Sequence, residues 1–171
     1  MLGAVALALA PLAALGPADA DRAVAAPSAT TFTVINTNDS GPGSLRQAIS
    51  DANSAPGPDT IRITAHGTVR LASTLLITDE VTLLGPSADL FAVDGGGAMG
   101  VFRIRDDRTV NGEVITLPVP ANLADLTVQH GFAWRGGGIQ NVGGLTLTNV
   151  NVLDNRASDI GGGVDAGGHS R

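Results

Sequence analysis

A repeat near the end of the chain constrains its fold more than any other feature. Gly136-Gly137-Gly138-Ile139 returns as Gly161-Gly162-Gly163-Val164, 25 residues on (164 minus 139), and Asp125-Leu126-Thr127-Val128 matches Asn149-Val150-Asn151-Val152 at 24 (152 minus 128). A unit this short cannot bury an apolar face by itself, so it has to stack on its neighbours, with the small difference in spacing absorbed at the corners. Within the units the apolar residues alternate: Ile61 with Ile63, Val69 with Leu71, Leu75 with Ile77, Val81 with Leu83, Leu126 with Val128, Leu145 with Leu147. That is the period of strands.

One coil of such a stack holds three strands, expected in the best-defined coil at 138–141, 145–149 and 150–153, with Gly143-Gly144 and Asp154-Asn155 at corners. Ile139, Leu145, Leu147, Val150 and Val152 then point inward. The preceding coil is longer, 38 residues from Val101 to Ile139 (139 minus 101), and contains Pro118 and Pro120. An insertion loop at 117–122 is the expected outlet for the excess.

Composition agrees with a stack. With 23 Gly, 3% aromatic residues and no Cys among 171 residues, neither an aromatic core nor disulfides can hold the fold, so backbone pairing must. All ten basic residues are Arg against sixteen acids, and a net charge of -6 argues against a nucleic-acid partner.

Residues 1–15 are almost wholly apolar and lead to Ala18-Asp19-Ala20, which reads as a signal peptide over 1–20. The run is shorter than the roughly 20 residues of a membrane span and Pro11 interrupts it, so no transmembrane helix is expected once the signal is removed. Residues 21–30 read as a flexible lead. Residues 31–58 hold a strand, a turn-forming run from Asn36 to Gly43, and a helix. Ser44-Leu45-Arg46-Gln47 fits a capping box, and Leu45, Ala48, Ile49 and Ala52 share one face until Pro56-Gly57-Pro58 prevents continuation. A helix so short is not stable alone; it is expected to cover the apolar end of the stack. Residues 59–171 are the coils, expected to be incomplete because the chain stops at Gly168-His169-Ser170-Arg171, directly after a repeat, leaving an end that frays or aggregates.

The run Val34-Ile35-Asn36-Thr37-Asn38-Asp39-Ser40-Gly41-Pro42-Gly43-Ser44-Leu45-Arg46-Gln47-Ala48-Ile49 resembles the N-terminal module of bacterial CSLREA-type and choice-of-anchor β-helix surface proteins. Gly85-Pro86, Val93-Asp94-Gly95-Gly96-Gly97, Val101-Phe102 and the Gly-Gly-Gly-Ile repeats are similar to the same proteins and to polymorphic outer-membrane protein repeats. The resemblance covers most of the chain after the signal. It implies an all-β, right-handed, single-stranded parallel β-helix of the pectin-lyase-like type with a short N-terminal capping α-helix, secreted or displayed on the cell surface. It does not imply catalysis.

Several groups of residues bear on chemistry. Gly95-Gly96-Gly97-Ala98-Met99-Gly100 matches a nucleotide-binding G-x-G-x-x-G, but an alternating strand, not a helix, follows it, so a tight corner is expected. Gly161-Gly162-Gly163-Val164-Asp165 approximates a calcium-binding nonapeptide, yet Val164 stands where a Gly belongs and Asp165 is one place early. No cofactor is expected, and calcium is the one ion that motif suggests. Enzymes of this architecture gather carboxylates from adjacent coils, which makes Asp94, Asp106, Asp107, Asp125 and Asp154 the acids to follow. Asp106 and Asp107 are the catalytic candidates, but the chain lacks the Gly-His-Gly and Arg-x-Lys elements that accompany such a pair in pectinase-like hydrolases. His66 and His130 stand outside any metal-ligand spacing and read as corner residues. Trp134, beside Arg135, is the candidate for stacking on a sugar. The expected function is a non-catalytic, adhesin-like or display scaffold whose partner is an extracellular polysaccharide or a cell-surface or host protein; the alternative is a polysaccharide lyase or glycoside hydrolase.

Overall fold

The computed structural model describes residues 28–167. The expected signal (1–20), most of the lead (21–30) and the last four residues lie outside the described residues. From residue 59 the chain winds as a right-handed parallel β-helix. Its first coil contains β2 (Asp59–Ile63), β3 (Gly67–Arg70) and β4 (Leu75–Ile77); its second contains β5 (Val81–Leu84), β6 (Phe91–Asp94) and β7 (Phe102–Ile104). An antiparallel hairpin, β8 (Asp106–Val110) and β9 (Glu113–Leu117), follows. The third coil is β10 (Ala121–Ala124), β11 (Thr127–Gln129), β12 (Phe132–Arg135) and β13 (Ile139–Asn141); the fourth is β14 (Leu145–Thr148), β15 (Asn151–Leu153), β16 (Arg156–Ile160) and β17 (Val164–Asp165). Before the coils come β1 (Thr31–Val34) and α1 (Leu45–Ala52).

Three parallel sheets run down the stack, in the orders β1-β2-β5-β10-β14, β3-β6-β11-β15 and β4-β7-β13-β17, and β12 pairs with β16 on a fourth side. Identical positions lie above one another. Ile61, Leu83, Leu123 and Leu147 form one inward row, Val69, Val93, Val128 and Val152 a second, and Leu75, Phe102, Ile139 and Val164 a third. The pairing of Ile139 with Val164 and of Val128 with Val152 is the repeat read from the sequence. The repeated glycines follow from the same stacking. A Cβ on Gly137 would drive into the carbonyl oxygen of Arg156 in the next coil, and Gly136 and Gly161 hold equivalent left-handed conformations, φ 58° and 65°.

Three expectations are corrected. The excess of the long coil leaves as the β8–β9 hairpin over 106–117, turning through Asn111 (φ 53°) and Gly112 (φ 82°); of 117–122 only Pro118, Val119 and Pro120 lie outside strands, a short link between β9 and β10. Paired positive φ angles at Asn-Gly match the right-handed twist of a two-residue hairpin. Leu147 holds its inward register position but remains 36% exposed, since no described coil lies over it. The capping box at Ser44 is only half formed: Ser44 Oγ accepts from the Gln47 amide, but the Gln47 side chain donates to Asp51, and the Ser44 amide donates to the Gly41 carbonyl.

The helix does cover the stack. Leu45, Ala48, Ile49 and Ala52 are buried, and α1 packs on β1, β2 and β4. Two side chains tie it down. Arg46 donates to the Asp39 carboxylate (2.6 Å) and to the carbonyls of Ser73 (2.6 Å) and Thr74 (3.3 Å), while Asp39 also accepts from the Ala72 amide. Asn53 donates to the Leu76 carbonyl and accepts from the Thr78 amide, bonding to the backbone beside β4 as a further strand would. These contacts give the Asn36-to-Arg46 run its physical purpose: it latches the cap to the first coil. Arg46→Gln is expected to lower stability by about 1–2 kcal/mol, read as an earlier urea midpoint with the β-sheet spectrum retained before unfolding. Gly137→Ala is expected to cost at least about 2 kcal/mol by the same measurement, because backbone rather than a flexible side chain must yield.

Candidate ligand-binding face

The segment joining the second sheet to the third lengthens coil by coil. Four residues (71–74) connect β3 to β4, seven (95–101) connect β6 to β7, nine (130–138) connect β11 to β13, and ten (154–163) connect β15 to β17. Since the strands on either side stay in register, the extra residues must move outward, and in the two longest segments they form β12 and β16. The overhang of the third coil over the shorter first and second leaves a groove of about 320 Å³ beside β12. Thr74 from the first coil, Phe102 and Arg103 from the second, and Trp134, Arg135 and Gln140 from the third line it.

Alternation along β12 puts Phe132 and Trp134 on one face, 43% and 68% exposed. Trp134 and Arg135, the pair singled out from the sequence, thus both line the groove, although Arg135 is already held by Asp159 (2.9 Å). Sequence reading missed Phe132, Arg103 and Gln140. The signal for Arg103 was present: it stands between Phe102 and Ile104, both buried, so it must face outward. Gln140 pairs with Arg103 in the ladder and faces the same way. Burial and the neighbouring Arg105 pull the Arg103 guanidinium below its usual range.

At the other end of β12 lies a second hollow of about 490 Å³, lined by Gly97, His130, Phe132, Asp154 and Arg156. His130 is a corner residue, as expected, in the left-handed region at φ 50°, and Asp154 one coil later repeats that conformation at φ 51°. Its Nδ1 lies 2.9 Å from the buried Asp94 carboxylate, and its Nε2 is 4.0 Å from Asp154. A carboxylate only accepts, so the contact keeps a proton on Nδ1. Burial pushes the Asp94 carboxyl up, but hydrogen bonds from His130, Gln129 and the Gly96 amide outweigh it and hold the group below its ordinary 3.8.

The other acids stand apart from this face. Asp106 and Asp107 are neighbours on β8 and so point to opposite sides of the hairpin. Asp106 is bound by Arg108 and borders a small hollow with Asp79 and Glu80; Asp107 is bound by Arg105 (2.7 Å) and by the Thr116 hydroxyl (2.7 Å). Asp125 accepts from Asn149 at a different corner. The five candidate carboxylates are therefore not gathered on one surface: Asp94 and Asp154 flank His130, Asp106 shares its hollow with Asp79 and Glu80, and Asp107 and Asp125 lie elsewhere. Among the described residues no three His, Asp or Glu side chains are grouped to hold a metal ion. Gly95 to Gly100 form a corner followed by β7, with the Gly97 amide donating to the His130 carbonyl, and Val164 and Asp165 sit in β17 against β13. His66 is exposed just before β3.

Asp94 makes the corner acid-sensitive. Its folded-state pKa is depressed, so its contribution is present above the unfolded value and is lost as the pH falls through the folded one. The wild-type melting temperature is expected to fall more steeply below about pH 4 than that of Asp94→Asn, which should also be less stable at neutral pH by about 1–2 kcal/mol.

No protein-family model, no curated protein and no solved structure matches the chain; what is shown is the architecture, a parallel β-solenoid compatible with a β-helix fold.

Proposed function

We propose that this chain is an exported, non-catalytic β-helix of the CSLREA-type or choice-of-anchor kind, acting outside the cell as an adhesin-like or display scaffold whose β12 face contacts a polysaccharide. One observation carries the reading: Phe132 and Trp134 stand exposed on the same face of a strand paired into the stack, Trp134 at a groove that also holds Arg103 and Gln140 and Phe132 at the adjoining hollow. Exposed aromatics on a rigid strand offer flat apolar area at little entropic cost, with polar groups nearby for hydroxyls. The two side chains are roughly 7 Å apart along the strand, within the span of one or two sugar rings. Export and surface display rest on the apolar leader over 1–15 and on the resemblance of 34–49. The carboxylates Asp106 and Asp107, each bound to an arginine, favour this reading over a hydrolase or lyase.

A glycan array and affinity electrophoresis test it. At least one polysaccharide should bind without release of reducing or unsaturated ends, and Trp134→Ala should weaken that binding roughly tenfold with an unchanged melting temperature. Absence of any glycan binding overturns the proposal. Product formation that disappears in Asp106→Asn or Asp107→Asn overturns it in favour of an enzyme.

A further inference from the structure

We infer that the groove under Trp134 selects a sugar carrying an anionic group, with the ring against Trp134 and the anion on Arg103. The inference rests on the glycan reading above and adds its ligand class. Arg103 lies in the groove wall, and among the described residues its guanidinium has no hydrogen-bond or ion-pair partner of its own, with only the longer-range attraction of Asp107, which Arg105 already binds; its neighbours are engaged, Arg105 by Asp107, Arg108 by Asp106 and Arg135 by Asp159. Of the two arginines that line this groove, Arg103 alone has a guanidinium without a bonded partner, since Arg135 is held by Asp159. The chain carries a net charge of -6, yet no acidic side chain lines this groove. Arg103 and Gln140 are stacked partners in adjacent coils, so a fork of cationic donors sits beside an amide that can donate to or accept from ring hydroxyls. A guanidinium matches a carboxylate or a sulfate ester by two parallel hydrogen bonds. Both anions offer that geometry, and the experiment separates them.

Isothermal titration of the chain would use two matched pairs: an oligoglucuronate with its carboxyl-reduced neutral form, and dextran sulfate with dextran. At least one acidic member is expected to bind about tenfold tighter than its neutral partner, and to weaken between about 50 and about 500 mM NaCl while neutral binding does not. Preference confined to the first pair assigns a carboxylate; preference confined to the second assigns a sulfate. Arg103→Gln should bring each acidic ligand to within about twofold of its neutral partner, while Trp134→Ala weakens both members alike. Equal binding of acidic and neutral members by the wild type, or a preference that survives Arg103→Gln, overturns the inference. In either case continued sensitivity to Trp134→Ala leaves the glycan reading standing. No binding of any of the four overturns the inference, while the glycan array decides the glycan reading separately. The wild-type comparison and its salt dependence decide the matter even where a substitution impairs folding.

Discussion

The molecule depends on parallel register between successive coils. Each coil contributes only a few inward side chains, none of them sulfur-bridged and few aromatic, so the backbone ladder has to fix their positions before they can pack. A shift of one residue would turn Leu83 and Leu123 outward and bring Thr82 and Asn122 in. The corners protect against that slip. Asp125 and Asn149, then His130 and Asp154, adopt left-handed backbone angles at positions 24 residues apart, so β11 and β15 each begin and end at a bend of fixed shape. Asn155 reinforces the second bend from one coil away, accepting from the Gly131 amide and donating to the Val128 carbonyl.

The N-terminal end of the stack is covered by α1. At the N-terminal end, Asn53 and Arg46 occupy backbone donors and acceptors beside the first coil while the apolar face of α1 covers Ile61 and its neighbours. An edge strand left open invites pairing with another chain; β1 extends the first sheet over β2, whereas at β4 the helix, tied down by side chains that imitate strand bonds, closes the edge without a further strand. The capping sequence is therefore more than a helix start: Ser44 begins the helix, whereas Asp39, Arg46 and Asn53 bind it to the coils.

Much of this was legible. Alternation, the 24- and 25-residue spacings and the apolar face of α1 each report a local periodicity, and the stack amplifies them into three-dimensional order. The location of the hairpin was readable too, in Val110-Asn111-Gly112 with alternating residues around it, but Pro118 and Pro120 drew the insertion downstream. Proline at 118 and 120 ends the hairpin; it does not form it. The groove was half visible: Trp134 and Arg135 stood out by type, while Arg103, 31 residues earlier (134 minus 103), reaches the same groove only because β7 and β13 are stacked. Asp106 and Asp107 looked like a pair by adjacency, and a strand separates adjacent side chains.

The position of the groove follows from the same constraint that holds the stack together. Register fixes β11 above β6 and β13 above β7, so a connecting segment that grows from four residues to ten cannot lengthen the sheets and has to project sideways. Projection over a shorter coil makes a concavity, and pairing of β12 with β16 stiffens its rim. Substitutions at Trp134 or Arg103 touch neither an inward row nor a corner, so the lateral face can vary while the ladder beneath keeps its geometry. A solenoid built this way separates the residues that hold it together from those on its lateral face, and the length of the connecting segments sets where that face can form a concavity.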